Sequence, residues 1–373
     1  MGLGHVKRSL AIADALRSIE RDVKVEWVCA EPALSFLRAK GEHLLNIAES
    51  LGSVSSVLEK YSEGGRIDMA KAVRGSAAVA NRNYAKIKPF LKGYDALIQD
   101  EFVETLLSFL WDPHPPLPPK KVVITDYVKF KAPSLNPVSW ATLFYANRTL
   151  RKAFLQQDLR IFADSEDALP EGRTRRWTMG FFEVVGPIVE ASPNQTKTEL
   201  KDALFGPSCG RVIVFSIGGT SIGRSLLHFV ADHAEVLSNR LNATIALMVG
   251  PRVDPSELAG PRSRFVVLPF TYDSLRYFKA ADCLVTQAGA STLHEAASLG
   301  LPCVCIPVEE HWEQIRNAQR FSHRFHFSPL RYREISVETL VSAIERATAT
   351  SYTPIGTQDS AHRTARLITE TIR

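Results

Sequence analysis

The sequence predicts an α/β protein with two doubly wound domains, each built on a parallel sheet that helices cover. Its 373 residues exceed what a single core usually supports. Short apolar strands alternate with helical patterns almost throughout, which is typical of parallel sheets with helices on both faces. A polar stretch rich in Gly and Pro, EVVGPIVEASPNQTK, has the composition of a linker, and we place the domain boundary near Ile188.

The first domain, residues 1–188, opens on MGLGHVKRSLAIADAL, a Gly-x-Gly-His turn that leads into an amphipathic helix. In a doubly wound fold such a turn follows a strand, and no strand precedes it here. We therefore expect the first, central strand of this domain to lie upstream of the given sequence. Further strands are predicted at VKVEWVC, ALIQD, KVVITDY and LRIFADS, which begin at Val23, Ala96, Lys121 and Leu159.

The second domain, residues 189–373, repeats the alternation more cleanly. Its predicted strands are GRVIVFSIGG, ATIALMVG, RFVVLPF, DCLVTQAG and LPCVCIPV, each bounded by Gly, Pro or Asp. Helices are predicted over residues 225–241 and 274–281. The basic helix at the end of the chain, about residues 358–373, is expected to pack back on the first domain.

Composition excludes several classes of protein. No run approaches the roughly 18 apolar residues of a membrane span, and charged residues interrupt the start where a secretory signal would lie. The five cysteines are odd in number and lie mostly in apolar runs, which favours reduced core thiols. A net charge of +5 suits anionic substrates or an anionic membrane surface, and no nucleic-acid motif is present. We expect a cytoplasmic protein.

The segment LVTQAGASTLHEAASLGLPCVCIPV carries the sharpest local signal. A strand ends at Thr286, Gly289 and Ala290 form a tight turn, and Ser291 is placed to cap the following helix. Free backbone N–H groups and the helix dipole converge at such a helix start. The sequence therefore predicts an anion site of the kind that holds a diphosphate.

The helix that follows has an apolar and a polar face. Small and apolar residues recur at helical spacing on one face, at Leu293, Ala296, Ala297 and Gly300. The other face carries Ser291, His294, Glu295 and Ser298. Gly300 and Pro302 are predicted to end the helix. Glu295 is placed to accept hydrogen bonds from a ribose diol, as an acidic residue does in dinucleotide folds.

A second glycine-rich loop, FSIGGTSIGR, follows another predicted strand. Its residues Gly218, Gly219, Thr220, Ser221 and Gly223 form a second candidate anion cradle. The glycine spacing fits neither a Walker loop nor the usual dinucleotide fingerprint. On its own the loop is equally well explained as a tight turn that holds no ligand.

Taken together, GLGHVKR, VVGPIV, FSIGGTS, LPF, TQAGASTLHEAASLGLPCVCIPV and EQIRNA resemble the GT-B fold nucleotide-sugar glycosyltransferases. The chain is similar to the family of the lipid-linked N-acetylglucosaminyltransferase of peptidoglycan synthesis and to the UDP-glycosyltransferases. The resemblance implies two Rossmann-like domains that face a cleft, the C-terminal one binding a nucleotide sugar that is most often UDP-linked.

The resemblance also implies roles for individual residues of the donor site. Glu295 would hold the ribose and Phe270 would lie beside the base. Gln314 and Asn317 would lie near the donor sugar. The diphosphate would bind residues of the two loops and of the helix start, namely Gly218, Gly219, Thr220, Ser221, Gln287, Gly289, Ala290, Ser291 and Thr292.

No metal or other cofactor is expected. The departing nucleoside diphosphate gathers negative charge, which preorganised N–H and hydroxyl donors stabilise without a metal ion. The chain contains no Asp-x-Asp pair that could bridge a metal to the diphosphate. Two histidine pairs, His228 with His233 and His323 with His326, lack a cluster of further ligands and are assigned to structure or surface.

By the same resemblance, His5 is the candidate general base and faces the acceptor hydroxyl. An imidazole suits this role because its pKa lies near working pH. A carboxylate on its other nitrogen would fix the tautomer, and both Asp100 and Asp126 follow strands at the right edge of a sheet. We favour Asp100 as this partner. The acceptor side is completed by Gly2, Gly4, Arg8 and Asp126.

Three functions remain open at this point. The leading one is an inverting glycosyltransferase that moves a hexose or N-acetylhexosamine to an acceptor hydroxyl. The second is a nucleotide-sugar hydrolase, since the UDP-sugar hydrolases of nonulosonic acid synthesis share the fold and a Gly-His-x-x-Arg start, matched by Gly4, His5 and Arg8. The third is a non-catalytic donor-binding subunit.

The segment VSWATLFYANRTLRKAFLQQDLR interleaves aromatic with basic residues on a predicted helix. This pattern suits a lipid or lipid-linked acceptor and a peripheral contact with the inner face of the cell membrane. An ordinary amphipathic core helix with a solvated basic face explains it equally well.

Overall fold

The structure is a computed structural model that describes residues 3–63, 66–67, 69–130, 137–207, 209–219, 222–258, 260, 263–309, 311–356 and 359–373. It divides into two compact units. Unit 1 comprises Met1–Val57, Ala70–Val189 and Thr357–Arg373, and unit 2 comprises Leu58–Met69 and Glu190–Gly356. The assignment of the short segment Leu58–Met69 to unit 2 is a feature that the sequence pattern did not indicate.

Helices and strands alternate along most of the chain. The helices are α1 Leu3–Ile19, α2 Ala33–Ala39, α3 Val54–Lys60, α4 Met69–Ile87, α5 Val103–Leu106, α6 Pro137–Leu155, α7 Arg173–Phe181, α8 Lys197–Phe205, α9 Arg224–Asp232, α10 Ala234–Leu241, α11 Ser274–Ala280, α12 Ala290–Ser298, α13 Trp312–Phe325, α14 Val337–Thr348 and α15 Ser360–Ile372. The strands are β1 Ser62–Glu63, β2 Arg66–Ile67, β3 Ala96–Asp100, β4 Lys120–Thr125, β5 Leu159–Phe162, β6 Glu183–Val184, β7 Arg211–Ser216, β8 Ala243–Met248, β9 Phe265–Leu268, β10 Cys283–Thr286, β11 Cys303–Cys305 and β12 Ser328–Pro329.

Unit 1 contains a four-stranded parallel sheet in the order β3-β4-β5-β6. Helices α1 and α15 pack against each other and against this sheet, burying Ile12, Ile124, Ile161 and Ile368 in one core. The predicted strands ALIQD, KVVITDY and LRIFADS are confirmed as β3, β4 and β5. The helix at the end of the chain thus packs within unit 1, as its apolar face requires.

The predicted strand VKVEWVC is wrong in extent. Trp27 forms one isolated parallel bridge with Leu44, and its neighbours form no ladder. The N–H of Trp27 donates to the carbonyl of His43 at 2.9 Å, and the N–H of Leu45 donates back to the carbonyl of Trp27 at 3.0 Å. The described part of the chain places no strand of the sheet beside residues 23–29, and strand β3 is itself an edge strand. Without a neighbour the β-branched pattern cannot form a ladder.

Unit 2 contains a six-stranded parallel sheet in the order β12-β11-β10-β7-β8-β9. All five predicted strands are confirmed as β7 to β11, and the short edge strand β12 is added. The chain runs from β7 to β9 in one direction and then returns to the other side of β7 with β10. Strands β7 and β10 are therefore neighbours at the point where the strand order reverses, and Ser216 pairs with Thr286 at their carboxyl ends. Ligands of doubly wound sheets bind at such a point.

The helices of unit 2 cover both faces of its sheet. Two separate cores form, one around Phe215 and Leu227 and the other around Leu293 and Phe321. The single helix predicted over residues 225–241 is two helices, α9 and α10, because the backbone leaves the helical conformation at His233. Among the described residues, no helix has both the length and the apolar composition that crossing a membrane requires.

Candidate active site

Helix α1 of unit 1 carries the predicted base. The helix begins at Leu3, so Gly4 and His5 belong to its first turn, and the expected Gly-x-Gly-His turn ahead of the helix is wrong. His5 and Arg8 are three residues apart and therefore share a helix face. Gly2, predicted on the acceptor side, lies outside the described residues.

Arg8 links two carboxylates that follow neighbouring strands. Its Nε donates to Asp100 Oδ2 at 2.9 Å, and its Nη1 donates to Asp126 Oδ2 at 3.2 Å. Its Nη2 also contacts Asp100 Oδ1, and the Ser9 hydroxyl donates to Asp100 Oδ2 at 2.9 Å. Since β3 and β4 are parallel, their carboxyl ends meet at one sheet edge. The buried Arg8 holds the pKa of the Asp100 carboxyl well below its usual range, against the effect of burial.

The His5 imidazole joins this cluster through Nδ1, which lies 3.1 Å from Asp100 Oδ1. Its side chain stays 26% exposed while that of Asp100 is 6% exposed. Burial alone would lower the pKa of His5, but the charges of Glu101 and Asp100 outweigh it and raise the pKa to about 9. Arg8 Nη2 lies 3.0 Å from the same Nδ1 and can only donate. The raised pKa favours the imidazolium form, in which Nδ1 donates to Asp100 and accepts no hydrogen bond from Arg8.

Glu101 is a member of this cluster that sequence reasoning missed. Its Oε2 lies 3.7 Å from His5 Nε2. Its Oε1 accepts the N–H of Asp126 at 2.9 Å and lies 3.0 Å from the Thr125 hydroxyl. Burial and the charge of Asp126 raise the pKa of the Glu101 carboxyl to about 8. The sequence offers one signal for Glu101, namely an acidic residue next to Asp100. The backbone turn that directs its side chain at His5 leaves no pattern in the sequence.

Three groups of the cluster have a spacing that could hold a metal ion. One ligand atom from each of His5, Asp100 and Glu101 lies within 4.8 Å of the others. The Arg8 guanidinium, however, contacts Asp100 Oδ1 and lies 3.8 Å from Glu101 Oε1. A metal cation there would meet a fixed like charge. The two carboxylates suit the Arg8 guanidinium. The expectation that the protein needs no metal stays a prediction.

The loop after β7 in unit 2 is one of the two predicted anion cradles. Gly218 adopts a positive φ of 74°, which favours glycine, and its N–H donates to Ser216 Oγ at 3.4 Å. A Cβ on Gly223 would lie 2.5 Å from Ile217 Cγ2 and 2.8 Å from Gln287 Nε2, so only glycine allows this close approach. Gly219 lies in the turn. Thr220 and Ser221 lie outside the described residues.

The start of helix α12 is the other predicted anion cradle and follows β10. Gly289, not Ser291, occupies the N-cap position, and no side chain caps the helix. Ser291 is the second helical residue, so its predicted capping role is wrong. The first backbone bond within the helix runs from the N–H of Leu293 to the carbonyl of Gly289 at 3.1 Å. The N–H groups of Ala290, Ser291 and Thr292 precede it and face out of the helix start.

Gln287 connects the two cradles. Its side chain is 5% exposed, and within the described ranges its Nε2 has no hydrogen-bond partner. This amide lies against Gly223, as the short distance to a Cβ there indicates. A buried N–H without a partner costs free energy unless a ligand accepts from it. Gln287 is thus a buried donor that lies between the two loops.

The remaining predicted donor residues lie on α13, which carries Gln314 and Asn317, and after β9, where Phe270 lies. Asn317 Nδ2 donates to the carbonyl of Ala288 at 3.2 Å, which ties α13 to the loop after β10. Gln314 Oε1 accepts the N–H of Val308 at 2.9 Å. Phe270 is half-buried, with its ring centroid 4.8 Å from that of Tyr272.

Helix α12 departs from its predicted division into faces. Glu295 and His294 are both buried. The ring of His294 lies edge-on to Phe321 at 5.0 Å and therefore belongs to the core, which corrects the prediction that it lies on a polar face. The predicted end of the helix is confirmed, since Gly300 follows it with a positive φ of 64°.

Each unit therefore presents one cluster suited to a different part of a transfer reaction. In unit 1, His5 is a titratable base held by a carboxylate. In unit 2, two loops rich in backbone N–H donors meet where the strand order reverses. The first cluster can move a proton, and the second can bind an anion such as a diphosphate.

Comparisons with known proteins find glycosyltransferases. A family model described as "Glycosyltransferase family 28 C-terminal domain" matches residues 213–371. An uncharacterized glycosyltransferase of Methanopyrus kandleri is 27% identical over 236 residues, which cover 61% of this chain and 64% of the relative. The UDP-N-acetylglucosamine–N-acetylmuramyl-(pentapeptide) pyrophosphoryl-undecaprenol N-acetylglucosamine transferase of Bacillus subtilis is 29% identical over 157 residues, 40% of this chain and 43% of the relative.

A likeness of fold extends over the whole chain. The crystal structure of TcCGT1 in complex with UDP matches with a TM-score of 0.66 at 14% identity, covering 100% of this chain and 97% of that chain. The predicted resemblance to GT-B glycosyltransferases is confirmed. The aligned segments span 64% and 43% of the two curated relatives, which is less than two thirds of either.

Proposed function

We propose that this chain, whose residues 213–371 match the C-terminal domain of glycosyltransferase family 28, moves a hexose or N-acetylhexosamine from a nucleotide sugar to an acceptor hydroxyl. The observation that carries the proposal is the position of two glycine-containing loops after β7 and β10, where the strand order of unit 2 reverses. Doubly wound sheets bind nucleotides at this position.

The diphosphate of the donor binds the start of α12. The N–H groups of Ala290, Ser291 and Thr292 and the positive end of the helix dipole attract its charge. The buried amide of Gln287 supplies a further donor. Gly218, Gly219, Thr220 and Ser221 supply further donors to the phosphates.

The nucleoside and the sugar bind around this diphosphate site. Glu295 accepts hydrogen bonds from the ribose diol, and Phe270 packs beside the base. Gln314 and Asn317, on the helix that follows β11, contact the donor sugar. The name of the Bacillus relative, which includes UDP-N-acetylglucosamine, supports uracil as the base.

His5 acts as the general base on the acceptor. The acceptor O–H bond breaks as the proton moves to His5 Nε2, and the oxygen forms a bond to the anomeric carbon. The bond from that carbon to the diphosphate breaks, and its electron pair leaves with the nucleoside diphosphate. Attack from the face opposite the leaving group inverts the anomeric configuration. Asp100 holds Nδ1, so that Nε2 is the atom free to accept the proton.

The charge that develops on the leaving diphosphate is stabilised without a metal ion. Preorganised N–H donors at the start of α12 do not have to reorganise as the charge forms, which makes them effective in the transition state. Arg8 provides a fixed positive charge in unit 1, where it binds Asp100 and Asp126.

The acceptor is a lipid or lipid-linked molecule, and the protein contacts the inner face of the cell membrane. Helix α6 exposes three aromatic side chains in unit 1, Trp140 at 66%, Phe144 at 61% and Tyr145 at 66%. Exposed aromatic clusters beside basic residues suit a membrane surface. The pyrophosphoryl-undecaprenol in the name of the Bacillus relative supports the same class of acceptor.

Release of nucleoside diphosphate from a panel of UDP-, GDP- and dTDP-sugars tests this function. Mass spectrometry would follow the release with and without a membrane-lipid extract. We expect release from a UDP-sugar that depends on the extract. Release at a rate that the extract does not raise would make the protein a nucleotide-sugar hydrolase, in which water takes the place of the acceptor.

A further inference from the structure

We propose that Glu101 is a positioning residue for His5, so that the base works between two carboxylates, one at each ring nitrogen. Asp100 Oδ1 lies 3.1 Å from Nδ1, and Glu101 Oε2 lies 3.7 Å from Nε2. The inference rests on the proposed function, in which Nε2 takes the acceptor proton. Glu101 is thereby placed at the nitrogen where the chemistry occurs.

The backbone holds Glu101 in an unusual conformation to achieve this. Its φ is 52°, a left-handed value that non-glycine residues adopt rarely and at an energetic cost. Its N–H donates to the carbonyl of Ile124 at 3.1 Å, which pins the turn to strand β4.

The carboxylate itself is fixed through one of its two oxygens. Oε1 accepts the N–H of Asp126 at 2.9 Å and lies 3.0 Å from the Thr125 hydroxyl. Oε2 remains directed at His5. Glu101 is thus oriented by the end of β4, much as Asp100 is oriented by Arg8 and Ser9.

The charges around the pair favour one additional proton on His5 and Glu101 together. Arg8 contributes one positive charge, and Asp100 and Asp126 contribute two negative charges, so the cluster attracts a further proton. The pKa values of both His5 and Glu101 are raised, to about 9 and about 8. Two groups this close titrate as a pair and not as independent residues.

This arrangement has a consequence for the reaction. His5 becomes a competent base when its imidazole has lost a proton and the Glu101 carboxylate is ionised. As the acceptor O–H bond breaks and the Nε2–H bond forms, the negative Glu101 stabilises the new imidazolium. Glu101 therefore strengthens the base and moves its working range to higher pH.

Replacing Glu101 by Gln tests the inference, with Glu104→Gln as the matched control. Glu104 lies three positions further along the chain, and its carboxylate accepts from Asn83 Nδ2 at 2.9 Å. The primary readout is the titration of His5 by NMR in the full chain, with its signal assigned by its loss in His5→Ala. The second readout is the pH profile of kcat/KM. We expect Glu101→Gln to move both to lower pH by about 1 to 3 pH units, and Glu104→Gln to leave both in place.

An unchanged His5 titration in folded Glu101→Gln would overturn the inference. The NMR readout needs no substrate, so it stands even if the chain proves not to transfer sugar. Glu101→Asp keeps the negative charge and provides the second variant. We expect the pKa of His5 in Glu101→Asp to stay near its value in the unsubstituted protein. A fall in that pKa as large as the fall in Glu101→Gln would contradict the role of the charge.

Discussion

The Nδ1 atom of His5 lies 3.1 Å from Oδ1 of Asp100, although 95 positions separate the two residues in the chain. The contact forms because α1 packs on the sheet of unit 1 and brings its first turn to the carboxyl end of β3. Arg8, one helical turn further on, binds the same carboxylate. Helix α1 thus presents an imidazole and a fixed positive charge side by side.

Replacing His5 by Ala is expected to abolish most of the turnover while nucleotide binding remains. The loss of a general base lowers kcat by about 10² to 10⁴-fold. The donor loops lie in unit 2 and keep all their contacts. Steady-state rates and calorimetric titration with UDP would measure the two effects. Unchanged turnover in His5→Ala would remove the base assignment.

The Arg8–Asp100 pair allows stability to be separated from catalysis. Asp100→Asn removes a negative charge that compensates the buried Arg8 guanidinium. We expect it to lower the free energy of unfolding by about 3 kcal/mol. The double variant Arg8→Met with Asp100→Asn removes both charges and should recover only part of that stability, because the Asp126 carboxylate loses its Arg8 partner. Urea unfolding would measure this difference. Activity should stay low in both variants, and recovery of activity in the double variant would argue against a role for Asp100 in the reaction.

Glu295→Ala is expected to weaken UDP binding. A charged hydrogen-bond acceptor contributes about 1.5 to 3 kcal/mol, which corresponds to a loss of about 10 to 100-fold in affinity. Glu345→Ala, at an exposed position of α14 in the same unit, is the control and should bind UDP normally. Equal affinities of the two variants would show that Glu295 does not hold the ribose.

Gly223→Ala is expected to disturb the first donor loop. The new Cβ would lie 2.5 Å from Ile217 Cγ2 and 2.8 Å from Gln287 Nε2, so the loop or the amide must move. Gly210→Ala is the matched control, because a Cβ there meets nothing within 4 Å. We expect lower UDP affinity and a lower Tm for Gly223→Ala alone. A Gly223→Ala variant that binds UDP as well as Gly210→Ala does would count against the loop as part of the site.

The exposed aromatic residues of α6 are expected to bind membranes. The double variant Trp140→Ala with Phe144→Ala removes two stacked rings whose centroids lie 5.9 Å apart. Sedimentation with vesicles that contain anionic lipid should show reduced binding, since buried apolar area and charge both contribute to it. Phe90→Ala, which removes another exposed ring of unit 1, is the control. Equal sedimentation of all three proteins would contradict a membrane role for α6.

Much of this architecture could be predicted from the sequence, because hydrophobic periodicity and strand-ending residues are local signals. Strands β7 to β11 are short apolar runs bounded by Gly, Pro or Asp, and they were predicted in place. Asp100 was predicted to partner His5 because parallel strands bring their carboxyl ends to one edge. The resemblance to GT-B glycosyltransferases was likewise predictable from the loop after β10 and the helix that follows.

Other features depend on tertiary contacts that leave no local pattern. Glu101 faces His5 because its backbone adopts a left-handed φ, and nothing in the sequence Asp-Glu indicates that turn. Residues 23–29 have a strand composition, but in the part of the chain that the structure describes only Trp27 among them forms a bridge, with Leu44. Ser291 looks like a capping residue, yet the turn after β10 places Gly289 at the N-cap. In each case tertiary contacts, and not the local sequence alone, determine the backbone conformation.

The most direct test of the central claim is the identity of the sugar-containing product. The full chain would be incubated with an isotope-labelled UDP-sugar and a membrane-lipid extract, and the products analysed by mass spectrometry, with His5→Ala in parallel. We expect a lipid to gain the mass of one labelled sugar residue as UDP is released, and His5→Ala to form little of this product. Labelled free sugar as the sole product, or equal product from His5→Ala, would contradict it.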